Sequence, residues 1–189
     1  MMNTRNFISF GKIAVALLIT ISSFAQKEKT TIVGGAAMYP SKNIIENAVK
    51  SKDHTTLVAA VKAAGLVETL QSAGPFTVFA PTNAAFNKLP KGTVETLLKP
   101  ENVKTLQTIL KYHVLAGKFS AAQIIAAIKA GNGTASFKTV AGGLLKASLK
   151  KGAVILTDEN GAKAKVTIAD VNQSNGVIHV IDGVVTPKG

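Results

Sequence analysis

Apolar residues recur at helical spacing through the first two-thirds of the chain and at every second position in the last third. Behind Ser41, a possible N-cap, Ile44, Ile45, Ala48 and Val49 trace one helix face. Asp53 or Thr55 then opens a helix with Leu57, Val58, Val61 and Ala64 inward, and Gly65 is placed to end it. A short third helix follows over Leu66 to Ala73. The β-prone run Phe76 to Ala80 stops at Pro81, where Thr82 or Asn83 can cap a helical turn through Ala84, Ala85 and Phe86. Thr93 to Leu98 and Pro100 to Tyr112 read as helices, the second striped by Val103, Leu106, Ile109 and Leu110. Ser120 and Gln123 have capping-box spacing ahead of Ile124, Ile125 and Ile128, and Gly131-Asn132-Gly133 ends that helix. From there the period falls to two. Leu145, Ala147 and Leu149 alternate with polar neighbours, then Val154 to Thr157 leads to the hairpin signal Asn160-Gly161. Val166 and Ile168 alternate next, and Asn175-Gly176 turns the chain into Val177 to Ile181. Helices first, strands last and one strand inserted among the helices predict an α+β fold.

The first 25 residues stand apart. Arg5 and Lys12 precede the apolar run Ile13 to Ile21, and Ser23 and Ala25 place small residues before "QKEK". This is the layout of a signal peptide, residues 1–25, cleaved near Ala25, with the apolar run too short to span a bilayer. Residues 26–39 read as a polar leader and 40–189 as one domain, long enough to bury about 70% of its unfolded surface. No cysteine is present, so an exported chain must hold by packing and hydrogen bonds.

Charge narrows the partners. The net charge is +12, and Arg5 is the only arginine, so past residue 25 every permanent positive charge is a lysine. Lysine lacks the planar fork used for base-edge readout, which argues against specific nucleic-acid recognition. Apart from Lys150-Lys151 the lysines are scattered along the sequence, the pattern of a soluble face, with unspecific polyanion attraction as the alternative. His54, His113 and His179 include no i, i+4 pair, and Gly142-Gly143 lacks a following helix. No nucleophile elbow or metal spacing occurs, so the expectation is a non-enzymatic chain with no cofactor and no metal.

Four segments in one order carry a resemblance: "DHTTLVAAVKAAGLVETL" (Asp53 to Leu70), "GPFTVFAPTNAAFNKLP" (Gly74 to Pro90), "ILKYHVLAGKFS" (Ile109 to Ser120) and "NGVIHVIDGVVTP" (Asn175 to Pro187). Together they closely resemble the fasciclin domain, over roughly Pro40 to Pro187. The resemblance implies N-terminal helices packed on a β-wedge or sandwich formed largely by the C-terminal strands. It implies structural roles for Thr77, Phe79, Pro81, Thr82, Asn83, Asn175, Gly176 and His179. It also implies a secreted, extracellular or periplasmic adhesion or matrix-interaction module, a monomer, whose partner is a cell-surface or matrix protein or glycan. The alternative is a lysine-rich glycan- or polyanion-binding envelope protein. Tyr112-His113 matches the family's Tyr-His motif, implicated in adhesion in animal matrix proteins. Asp170-Val171 matches an adhesive Asp-Ile pair with Val in place of Ile. The residues themselves favour quieter roles: a Tyr112-His113 pair buried at a helix-to-strand exit, Asp170 as a loop-capping carboxylate, and His179 as a satisfied core or rim histidine.

Overall fold

The computed structural model describes residues 29–188; residues 1–25, read above as a signal peptide, and the start of the leader lie outside the described residues. The chain opens with a hairpin of β1 (Thr31–Val33) and β2 (Ala36–Met38). Then come α1 (Ile44–Ala48), a 3-10 turn at Lys52–His54, α2 (Thr55–Ala63) and α3 (Val67–Gln71). β3 (Phe76–Pro81) leads to α4 (Asn83–Phe86), α5 (Thr93–Leu97), a 3-10 turn at Pro100–Asn102 and α6 (Val103–Tyr112). β4 (Val114–Ala116) and α7 (Ala121–Ala130) precede β5 (Thr134–Lys138), β6 (Leu144–Lys150), β7 (Ala153–Thr157), β8 (Lys163–Gln173) and β9 (Gly176–Ile181). The α+β arrangement is the one that the change of period predicts.

Seven strands join in the order β4-β3-β9-β8-β7-β6-β5. All neighbours are antiparallel except β3 and β9, which run parallel in the register Phe76↔Gly176 to Pro81↔Ile181. β8 serves both halves of the sheet: Lys163 to Lys165 pair with β7, and Val166 to Gln173 with β9. Its register slips between Val166 and Ile168 and again before Val171, the kind of bulge that bends a strand and sharpens its twist.

Alternation along β3 and β9 divides the interior in two. Val78, Ala80, Ile178 and Val180 face a helical core with Leu57, Val61, Leu70, Leu106 and Leu110. Phe79 and Ile181 face a second core with Tyr112, Leu115, Ile124, Ile128, Leu145 and Leu156. The β3–β9 pair is the common wall.

Several local expectations change. Residues 31–38, inside the stretch read as polar leader, form a hairpin whose Val33 and Met38 join the helical core. Its turn is Gly34-Gly35, both at positive φ, the conformation a two-residue hairpin demands. The cap of α1 is Asn43 rather than Ser41: its Oδ1 accepts from the Glu46 N–H while Glu46 Oε2 accepts from the Asn43 N–H. Glu46 three residues on completes that box for Asn43, whereas Ile44 stands three residues after Ser41. Neither Asp53 nor Thr55 caps α2, which continues out of the 3-10 turn. β3 runs through Pro81 instead of stopping before it, and β5 is an edge strand whose two inward residues, Ala135 and Phe137, give little alternation to read.

Candidate functional site

Tyr112 ends α6 and His113 is its C-cap. The helix delivers Tyr112 into the strand core, where it is 0% exposed and its hydroxyl donates to the Leu144 carbonyl at 2.7 Å. Burial, reinforced by nearby Glu159 and Asp158, pushes its pKa up to about 12. His113 is 3% exposed. The Val185 N–H donates to its Nε2 at 3.2 Å, so Nδ1 carries the proton and donates to the Ile109 carbonyl at 2.9 Å. Burial lowers its pKa to about 4, so the ring is neutral at pH 7. Its backbone carbonyl accepts from Phe79 of β3 at 2.9 Å. The pair therefore binds α6, β3, β6 and the C-terminal segment to one another, and presents neither ring to solvent.

Asp170 lies in β8, at its bulge with φ 56°, and not in a loop. Oδ1 accepts from the Ala121 N–H at 2.8 Å, the first residue of α7, so the carboxylate caps a helix 49 positions away. Its N–H donates to His179 Nδ1 at 3.3 Å, which leaves His179 Nε2 to donate to the Phe119 carbonyl at 2.8 Å. The His179 ring stacks on Phe79, its partner in the parallel register, with centroids 5.7 Å apart. Val171 beside Asp170 is buried in the helical core. His179 is thus a satisfied core histidine.

The other motif residues hold junctions. Thr77 Oγ1 donates to the Gly117 carbonyl at 2.7 Å and accepts from the Phe119 N–H at 2.8 Å. Thr82 caps α4 through the Ala85 N–H at 3.2 Å. Asn83 does something sequence could not place: its Oδ1 accepts from the Thr56 N–H at 3.0 Å and its Nδ2 donates to the Lys52 carbonyl at 2.9 Å, so α4 caps α2. Asn175 Oδ1 accepts from the Ile44 N–H at 3.0 Å, while its Nδ2 donates to the Leu70 and Ser72 carbonyls. Gly176 is required because a Cβ there would collide with the Phe76 carbonyl of the parallel neighbour. Asp158, which no motif flagged, accepts from the N–H groups of Asn160, Ala162 and Thr186 and ties the β7–β8 turn to the C-terminal segment.

None of these motif residues forms an open site, but the outer face of β5 to β8 does. Antiparallel register lines up Ser136, Lys146, Thr157 and Lys163 in one row, and Thr134, Ser148, Ile155 and Lys165 in the next, with Lys138 and Lys150 at the margins. The opposite face presents Ala135, Ala147, Leu156 and Ala164 to the strand core. Lysines scattered in sequence are therefore collected by the period of two. Lys138, Lys146, Lys150, Lys163 and Lys165 are all exposed, and the one carboxylate in these strands, Asp170, is engaged at α7. Among the described residues the ion pair is Lys88–Asp182 at 3.7 Å, so these five ammonium groups have no acidic partner there. Also among the described residues, no group of His, Asp and Glu is arranged to hold a metal ion, and no helix is long and apolar enough to cross a membrane.

The fasciclin domain family model matches residues 52–187. The chain is 47% identical over 169 residues to the protein sll1483 of Synechocystis sp., covering 89% of this chain and 87% of that one. It is 40% identical over 131 residues to transforming growth factor-beta-induced protein ig-h3 of Sus scrofa, covering 69% of this chain but 17% of that protein. Among solved structures, a FAS1 domain pair from the insect cell adhesion molecule fasciclin I superposes with a TM-score of 0.68 at 18% identity, covering 77% of this chain and 51% of that one.

Proposed function

This chain belongs to the fasciclin domain family, and from that premise we propose that it is an exported, non-catalytic binding module of the cell surface or matrix. Its contact surface is the outer face of β5 to β8, and its partner is an anionic surface polymer, a glycan or an acidic matrix component. The observation that carries this reading is the row of unpaired lysines and hydroxyls across four strands with no carboxylate among them. Lysines spaced along and across strands suit a polymer with repeated charges, because each ammonium acts as a point charge and displaces counterions without fixed geometry. The cell adhesion molecule whose domain pair shares the fold supports the adhesive role.

The same proposal takes residues 1–25 as a signal peptide removed near Ala25, and places the mature monomer in the periplasm or outside the cell. Mass spectrometry of exported protein should find a new N-terminus near Gln26. An intact Met1 on exported chain defeats that part.

A receptor contact through Tyr112-His113 or Asp170-Val171 is disfavoured, since both rings are buried and Asp170 is spent on α7. Capture of the mature domain on its own cells' surface fraction, at low and high salt, separates the two. Lysine-face binding weakens at least tenfold at high salt and in Lys146→Glu/Lys163→Glu, with an unchanged melting temperature. Salt-tolerant binding that survives the double substitution overturns the assignment.

A further inference from the structure

The seven-stranded sheet almost closes on itself. Just past β5, the Val140 N–H donates to the Val114 carbonyl of β4 at 2.8 Å, so the two terminal strands of the sheet meet at one point. They part from there. Continued pairing would set Lys138 opposite Ala116, yet no backbone bond joins those two residues. Between the strands lies an open groove of about 470 Å³, with Leu115, Ala116 and Phe119 on one side and Ser136 to Thr139 on the other. Phe119 and Phe137 meet in it edge to face, with ring centroids 5.6 Å apart. Register shows which backbone groups face the groove. The Thr139 N–H donates to the Gly143 carbonyl, and the Phe79 N–H to the His113 carbonyl. Antiparallel alternation then turns the N–H and C=O of Ser136 and Lys138 away from β6, and those of Ala116 away from β3. Among the described residues these groups have no backbone partner.

A row of unpaired edge amides is a template for another strand. We propose that the groove between β4 and β5 is a strand-addition site, which takes an extended acidic peptide of a partner protein as a further strand against β5. Bonds to the Ser136 and Lys138 backbone supply affinity, and alternate side chains of the peptide supply specificity. Those that point inward rest on Phe119 and Phe137, so they are apolar. Those that point outward meet Lys138 and its neighbour Lys146, with exposed Lys118 just past β4, so they are acidic. No carboxylate lies in β4, β5 or β6 to compete. Glu159 and Asp170 are engaged elsewhere, accepting from the Leu144 and Ala121 N–H groups. A second copy of this chain fits poorly, because β5 against β5 sets two lysine-bearing edges side by side. The site is independent of the lysine rows on the outer face, since it reads backbone groups first and needs charge only at its margin.

The test uses the exported chain and a short peptide that alternates valine with glutamate. Its fully N-methylated counterpart has the same charge and no backbone donors. Amide NMR at about 0.15 M salt, where exposed charges act over only about 8 Å, reads exchange residue by residue. In the free chain the Ser136 and Lys138 amides should exchange fast, and the peptide should slow both roughly tenfold. It should bind roughly tenfold more tightly than the N-methylated form, and than a peptide with lysine in place of glutamate. Ser136→Pro removes one edge donor where proline is tolerated, and should weaken binding by a similar factor. Lys163→Glu, three strands away on the outer face, should leave peptide binding within about threefold of wild type while impairing polymer binding there. The two readings therefore fail separately. Should Ser136→Pro not fold, the peptide comparison on the unaltered chain still decides. Equal binding of the N-methylated or lysine peptide, or no binding of any, would overturn the site. So would slow exchange in the free chain, whether through a dimer or through its own terminal segments.

Discussion

The two cores that share the β3–β9 wall are closed by different means. The strand core is sealed by long-range bonds: Tyr112 to Leu144, His179 to Phe119 and Asp170 to Ala121 each tie one element to another far along the chain. The helical core sets short pieces around α2 and α6, with α1, α3 and α5 five residues long and α4 four. Helices that short present too few side chains to interdigitate as a continuous layer. A void remains on that side. A sheet fixes register on its own face, whereas a group of single turns must be fastened by side chains such as Asn83 and Asn175.

The comparison breaks most visibly under core truncation. Phe79→Ala empties a fully buried position against His179 and should cost about 3–5 kcal/mol in urea unfolding, whereas Leu57→Ala beside the existing void should cost nearer 2 kcal/mol. Equal losses would mean the two cores are packed alike.

Acid should come next. Folding lowers the His113 pKa from 6.5 to about 4, so on acidification the unfolded chain takes up the proton first. The stabilisation is complete above pH 6.5, drains as pH falls towards 4 and is gone below it, a loss on the order of 3 kcal/mol. His54 and His179 are shifted in the same direction by burial and add to the slope. His113→Ala should itself cost about 1–3 kcal/mol, plus any cavity left behind, and flatten that acid slope. A direct partner contact would instead leave stability unchanged and abolish binding. Tyr112 works at the other extreme: its pKa rises on folding to about 12, so its contribution holds below pH 10 and disappears as pH climbs through 12. Denaturant midpoints from pH 4 to 11 test both signs.

Removing one fastening should cost less. Asp170→Ala strips the α7 cap and Asn83→Ala the α2 cap, at about 1 kcal/mol each. Hydrogen exchange should report the loosening at Ala121 in the first case and at Thr56 in the second. Smallest is Lys146→Glu on the open face, expected within about 0.5 kcal/mol of wild type in stability. Its effect should appear in polyanion binding alone.

Elements with local causes were legible in the sequence. Ser120 with Gln123 and Thr82 before its turn behave as their neighbours dictate, whereas the turn expected at Asn175-Gly176 falls on Ser174-Asn175, with Gly176 already paired to Gln173. What escaped depended on distance along the chain. Asn83 reads as a local cap until the fold sets Thr56 beside it, and Asp158 shows no motif until Thr186 returns to it. The lysines looked dispersed because sequence order does not show which strands lie side by side. Gly34-Gly35 was a turn signal in plain view, hidden by the polar residues before it.

The parallel pairing of β3 with β9 has a consequence in time. Phe76 waits for Gly176, about a hundred residues later, so a chain emerging N-terminus first cannot complete its central wall until β9 is free. Until then the helices have half a surface to pack on, so the pairing of β9 sets when the domain can close. Cutting off the last dozen residues should therefore leave an unfolded chain, not a smaller domain.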